Sequence, residues 1–273
     1  MINLYKKGSP LIMGILNVTP DSFSDGGQFN QPEKAIQRAI QMHEQGADII
    51  DIGGESTRPG AKDVSAEEQI DRVIPVIEGI REKNKDVLMS VDTTDVSVVK
   101  AALSAGANWI NDISAGEASE GMLSLAASEN APIILMHRQG KSDRMQDNPV
   151  YKDVCSEVQR YLQQRAQQAL NVGVKKDNII IDPGIGFGKL LDHNLQLMAD
   201  LKSLVELGFP VLLGASRKRF LGGICHQDDP GKRMGATCAT TALGVQAGVK
   251  IFRVHDVFEN KQAMDVAWRI VNA

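Results

Sequence analysis

Eight short, continuously apolar runs recur along the 273-residue chain, with segments of helical period between them from end to end. The runs lie at 11–18, 48–52, 87–91, 109–113, 132–136, 178–181, 210–213 and 250–254. Unbroken rather than alternating hydrophobicity marks parallel strands covered on both faces. Helices are expected at 32–45, 65–83, 95–105, 119–130, 150–172, 193–207, 230–248 and 257–271. The first carries Ala35, Ile36, Ala39, Ile40 and His43 at helical spacing and stops at Gly46. The second opens on Ser65 with Glu68 three residues on, a capping-box pattern. Strand then helix, eight times with short connections, points to an α/β fold: a closed (β/α)8 TIM barrel, one domain over residues 1–273. An open doubly wound sheet is the alternative, but the glycine fingerprint that often follows its first strand is missing.

Bulk properties narrow the function. A net charge of −4 argues against a general electrostatic grip on nucleic acid. Cys155, Cys225 and Cys238 are odd in number and show no C-x-x-C spacing, which suits a reducing compartment without disulfides. Cys225 beside His226 lacks the second pair that a zinc site needs. Lys6 and Lys7 ahead of the first apolar run resemble the start of a signal peptide. Gly14 and Asn17 interrupt that run, however, and no small-residue cleavage motif follows. No stretch approaches the roughly 20 apolar residues of a membrane helix.

The polar residues at the strand ends carry the chemistry. Asn17 closes the first strand, Asp51 the second, and Asp92 follows the third. Asn111 and Asp112 lie in the fourth, His137 ends the fifth and Asp182 the sixth; Ser216 and Lys218 follow the seventh, and Arg253 and His255 close the eighth. In a barrel all of these converge on the C-terminal mouth, where active sites lie. Asp92, Asn111 and Asp182 match the edge of a flat amide-like heterocycle, whereas Arg217, Lys218, Arg253 and His255 suit an anion such as phosphate. Asn17 offers an oxygen to Mg²⁺, which keeps its waters and bridges to substrate phosphates. Asp51 is open between a satisfied rim carboxylate and a site residue. His137 reads as a buried, hydrogen-bonded histidine, and Met122, Met136 and Met198 as packing. The glycine-rich run 182–189 fails as a P-loop, since Pro183 stands where glycine is required and Leu190 where Ser or Thr is.

Residues 13–27, MGILNVTPDSFSDGG, and 51–60, DIGGESTRPG, resemble the two signatures of dihydropteroate synthases, a pterin-binding family. SVDTT at 90–94, INDIS at 110–114, DPGIGFGK at 182–189, GASRKRFLG at 214–222 and RVHDV at 253–257 match in order. The resemblance implies a cytoplasmic transferase of folate biosynthesis, a sulfonamide target, that condenses 6-hydroxymethyl-7,8-dihydropterin pyrophosphate with p-aminobenzoate. It further implies a pterin pocket of Asp92, Asn111, Asp182 and Lys218. Pyrophosphate falls to Asn17, Arg58, Arg253 and His255, with Mg²⁺ on Asn17. The p-aminobenzoate pocket draws on Phe23, Thr57, Arg58, Pro59, Phe187 and Ser216. Asn17, Asp182, Lys218, Arg253 and His255 are the residues tied to catalysis, and a homodimer through helices 230–248 and 257–271 is a family trait. Arg138 departs from the uncharged residue found in many members.

Overall fold

The computed structural model describes residues 8–19, 31–55, 64–140 and 149–273. Among them the chain runs β1 (Leu11–Asn17), α1 (Gln31–Glu44), β2 (Ile49–Gly53), α2 (Ala66–Lys83), β3 (Leu88–Asp92), α3 (Val96–Ser104), β4 (Trp109–Asp112), α4 (Met122–Ser128) and β5 (Ile133–Met136). It continues through α5 (Val154–Asn171), β6 (Ile179–Asp182), α6 (Leu191–Ala199), α7 (Leu201–Val205), β7 (Leu212–Leu213), α8 (Arg219–Cys225), α9 (Met234–Ala247), β8 (Ile251–Val254) and α10 (Val257–Val271). All paired strands are parallel, in the order β6-β5-β4-β3-β2-β1-β8-β7. A single bridge, Ile181 to Val211, brings β6 to β7, so the eight strands form a nearly closed (β/α)8 barrel.

The interior divides by strand period. Leu11, Met13, Ile49, Trp109, Ile134, Ile180, Leu212 and Ile251 form one buried apolar cluster that plugs the barrel. Residues two further along a strand share its face, so Asp51, Asn111, Asp182 and Arg253 stand directly above Ile49, Trp109, Ile180 and Ile251. A polar layer, the floor of the barrel mouth, therefore rests on the apolar plug. The opposite strand faces, with Ile12, Leu16, Ile50, Ile52 and Val91 among them, join the helices in a second, larger core.

Where the elements differ from the periodicity, the causes are local. The seventh strand shrinks to Leu212–Leu213, since Pro210 has no N–H to give the ladder; its carbonyl still accepts from Ile181 N–H at 3.0 Å. The helix expected at 193–207 breaks at Asp200 (φ −103°, ψ 18°) into α6 and α7. Residues 230–232 form a separate 3₁₀ turn before α9. Helix α8 goes unforeseen because Gly222 and Gly223, in only seven residues, hide its period. Ser65 Oγ does cap α2, accepting Glu68 N–H at 3.2 Å, but the Glu68 carboxylate turns to Arg72 instead of closing the box.

Candidate active site

The floor is an ion cluster spanning four strands. Arg253 on β8 donates from Nε to Asp51 Oδ2 at 2.6 Å and from Nη2 to Asp92 Oδ2 at 2.5 Å. Asn111 Nδ2 donates to the same Asp51 oxygen at 2.9 Å. Asp51 is fully buried, at 0% exposure. Its other oxygen, Oδ1, and Ser90 Oγ are buried without a hydrogen-bond partner among the described residues, and the two residues are cross-strand neighbours. Burial pushes the Asp92 carboxyl up to about 7; Arg253 opposes this and Asp51 adds to it. Burial alone would lower Arg253, yet Asp51 and Asp92 outweigh it and hold the guanidinium above its ordinary value. Asp51 is the residue that sequence reasoning left open. The available signal was its place two residues past Ile49, in step with the other strand-end polar groups.

One wall is the loop after β6. Asp182 Oδ1 accepts Gly184 N–H at 2.7 Å. Burial raises this carboxyl's pKa against the pull of that bond and of Lys218, Lys189 and Arg253. Gly184 and Gly188 take φ of +64° and +60°, and a Cβ there would lie 1.9 Å from His137 O and 2.3 Å from Gln139 O. The loop thus lies flush on the chain leaving β5. Lys189, buried at 3% exposure, runs beneath it. Its Nζ donates to Gly184 O at 2.9 Å and Phe187 O at 3.0 Å, and lies 3.0 Å from His137 Nδ1. Burial, then Lys189, lower His137 to about 3, so the neutral ring accepts at Nδ1 from the ammonium. His137 is therefore the buried, hydrogen-bonded histidine expected. Lys189, part of a recognised motif but given no role from sequence, fastens the loop.

The fastened loop presents Phe187, and Lys218 Nζ stacks 3.9 Å from the centre of its ring. Burial, then Arg253, bring Lys218 down to about 8, with Asp182 and Asp92 opposing. Lys218, Asp182, Asp92, Asn111 and Arg253 are thus gathered around one floor, as expected from their strand ends.

At the rim, Ser216 Oγ accepts His255 backbone N–H at 3.1 Å and lies 2.9 Å from His255 Nδ1. Burial, then Arg217 and Arg253, lower His255 to about 3. Arg217, read from sequence as an anion binder, instead pairs with Asp256, with Nε at 3.0 Å from Oδ2. Asn17 ends β1 in register with Gly53, and a Cβ on Gly53 would stand 3.8 Å from Asn17 Oδ1. Phe23, Thr57, Arg58 and Pro59 lie outside the described residues. Chemically, the floor offers two carboxylates and an amide to a flat polar ring, flanked by Arg253 and Lys218.

The chain's likenesses are specific. A family model described as pterin binding enzyme matches residues 13–255. A dihydropteroate synthase of Streptococcus pyogenes serotype M6 is 48% identical over 261 residues, covering 95% of each chain. Among solved structures, Xanthomonas albilineans dihydropteroate synthase with 4-aminobenzoic acid superposes with a TM-score of 0.91 at 45% identity, over 97% of this chain and 94% of that one. The same organism's enzyme in complex with 7,8-dihydropteroate gives 0.88 at 42%, over 97% and 94%.

Proposed function

The chain belongs to the pterin-binding enzymes, within the dihydropteroate synthase family, and we propose the following account of its chemistry. The enzyme joins 6-hydroxymethyl-7,8-dihydropterin pyrophosphate to p-aminobenzoate, releasing pyrophosphate and 7,8-dihydropteroate. The observation that carries this reading is the floor itself: Asp92, Asn111 and Asp182 at three strand ends and Lys218 at the start of α8 gather above the apolar plug.

Asp92, Asn111, Asp182 and Lys218 read the polar edge of the pterin by paired hydrogen bonds. Arg253 and His255 face the leaving pyrophosphate, His255 as a neutral Nε2–H donor and Arg253 as a permanent cation. Pyrophosphate departs first, and the carboxylates of Asp92 and Asp182 stabilise the pterin cation that the aniline nitrogen then attacks. No nucleophilic side chain is needed. Phe187 and Ser216 serve the p-aminobenzoate side; the family resemblance assigns Phe23, Thr57, Arg58 and Pro59 to it as well, and Arg58 also to pyrophosphate.

Mg²⁺ fits this donor set. Asn17, at the end of β1, supplies one hard oxygen at the rim. That suits an ion held largely by water and substrate phosphate. Asn17 would hold it, and it would supply positive charge to the leaving group.

Exposed Leu243, Phe258, Val266, Ile270 and Val271 on α9 and α10 support a homodimer through these helices. No helix among the described residues is long and apolar enough to cross a membrane. Three free cysteines fit a cytoplasmic setting. The deciding experiment is measurement of dihydropteroate and pyrophosphate from the two substrates, with and without Mg²⁺. Stoichiometric products are expected. Pterin binding without condensation would overturn the reading.

A further inference from the structure

We infer that Asp51 is a positioning residue that orients, through one carboxylate oxygen, both the Asn111 amide and the Arg253 guanidinium. The inference rests on the pterin-binding reading of the floor. Asp51 is fully buried below Asp92, so it acts through its neighbours.

The geometry assigns each neighbour's remaining groups. Asn111 commits its Nδ2 to Asp51 Oδ2 at 2.9 Å, which turns its carbonyl oxygen to the open side. The amide is then a fixed acceptor for a ring N–H; flipped, it would present donors instead. Arg253 commits Nε to the same oxygen at 2.6 Å and Nη2 to Asp92 at 2.5 Å. That leaves the Nη1 edge for an anion and stops the guanidinium from folding wholly onto Asp92. The carboxylate matters here through its charge, which offsets the buried Arg253 cation while one oxygen takes both donors; an amide oxygen could accept both bonds but would leave that cation with less opposing charge. An asparagine at 51 that rotated its NH₂ toward either donor would set N–H against N–H. The neighbours come from β4 and β8, and β2, in register with β3, sets the Asp51 carboxylate between them beside Asp92.

The test uses the full-length enzyme and four proteins: wild type, Asp51→Asn, Asn111→Ala and the double variant. Binding of 6-hydroxymethyl-7,8-dihydropterin is read by fluorescence titration, and kcat and KM are measured for both substrates. Positioning of this kind typically matters about 10- to 100-fold, so Asp51→Asn is expected to weaken pterin binding by about 10-fold or more. KM for p-aminobenzoate should stay within about 3-fold, because the affected groups face the pterin. In the Asn111→Ala background the Asp51→Asn loss should shrink clearly, because the two residues act as a unit. Wild-type-like pterin binding by Asp51→Asn, or penalties that multiply in full, would sink the inference while leaving the functional reading intact. Failure of the wild type to bind the dihydropterin would overturn both. Should Asp51→Asn fail to fold, an atomic-resolution structure of the wild type with the dihydropterin decides. Asn111 Nδ2 on Asp51 with Oδ1 on the ring supports the inference, and the reverse orientation refutes it.

Discussion

The hydroxyl of Ser216 meets His255 twice, accepting its backbone N–H at 3.1 Å and lying 2.9 Å from its ring Nδ1. Because Ser216 Oγ accepts the His255 backbone N–H, its own proton is free to go to Nδ1, 2.9 Å away. With Ser216 donating to Nδ1, the neutral ring carries its proton on Nε2, the form that can donate to an anion at the rim. With its pKa down at about 3, His255 stays neutral through the whole working range. Nitrogen-detected NMR should show one Nε2–H tautomer with no titration between pH 5 and 8. Ser216→Ala should mix the tautomers and lower kcat/KM by about 10-fold, the usual cost of losing an orienting partner. A histidine titrating near 6.5 would refute this.

The rate should have a narrow pH optimum. Asp92, raised by burial to about 7, loses its charge as pH falls through that value. Lys218, lowered by burial to about 8, loses its charge as pH rises through that one. Asp92 and Lys218 are thus both charged between the two, and kcat/KM for the pterin substrate should be bell-shaped with its maximum at pH 7–8. The limbs belong to the coupled cluster rather than to single residues. Asp51→Asn should move the acid limb to lower pH, since the Asp51 charge helps to raise Asp92. A flat profile from pH 5 to 9 would contradict the cluster's electrostatics.

Glycines of the β6–α6 loop should tolerate no side chain. Gly184→Ala and Gly188→Ala would force a Cβ into backbone oxygens at 1.9 and 2.3 Å, with positive φ besides. Each should cost roughly 3 kcal/mol or more and displace Phe187. Gly223→Ala, in α8 with nothing within 4 Å of the new carbon, should instead stabilise by about 0.5–1 kcal/mol. Denaturation midpoints of the three variants check this ordering.

Lys189→Met should give a stability difference that changes with pH. The Lys189 ammonium is buried, and burial lowers its pKa to about 7 against the opposing charge of Asp182. Between about pH 7 and the unfolded value near 10.5 the native state therefore binds fewer protons than the unfolded chain. The burial cost is in full force below pH 7 and is relieved as pH rises. Wild-type stability should climb relative to Lys189→Met across that window, by at most about 1.4 kcal/mol per pH unit. Equal slopes for the two proteins would mean that Lys189 does not change charge there.

Much of this architecture is legible in the chain because parallel strands announce themselves as unbroken apolar runs and a barrel sends their ends to one mouth. Asn17, Asp92, Asn111, Asp182, Lys218 and Arg253 could be grouped on that ground alone. Partnerships across the barrel could not. Arg253 meets Asp51 and Asp92 across 202 and 161 residues, and a separation of that size leaves no periodic trace. Lys189 was equally hidden, since a buried lysine bonded to carbonyls and a solvated one look alike in sequence. Arg217 shows the converse: a cation in the right segment whose neighbour Asp256 claims it.

The apolar plug at the base of the barrel governs traffic. With the barrel base filled by Met13, Trp109, Ile134 and Leu212, the polar layer above it is reached from the C-terminal mouth, and the reactant that rests deepest is expected to arrive first. The reactant seated on the polar layer is then first in, and the joined product bars the next one until it leaves.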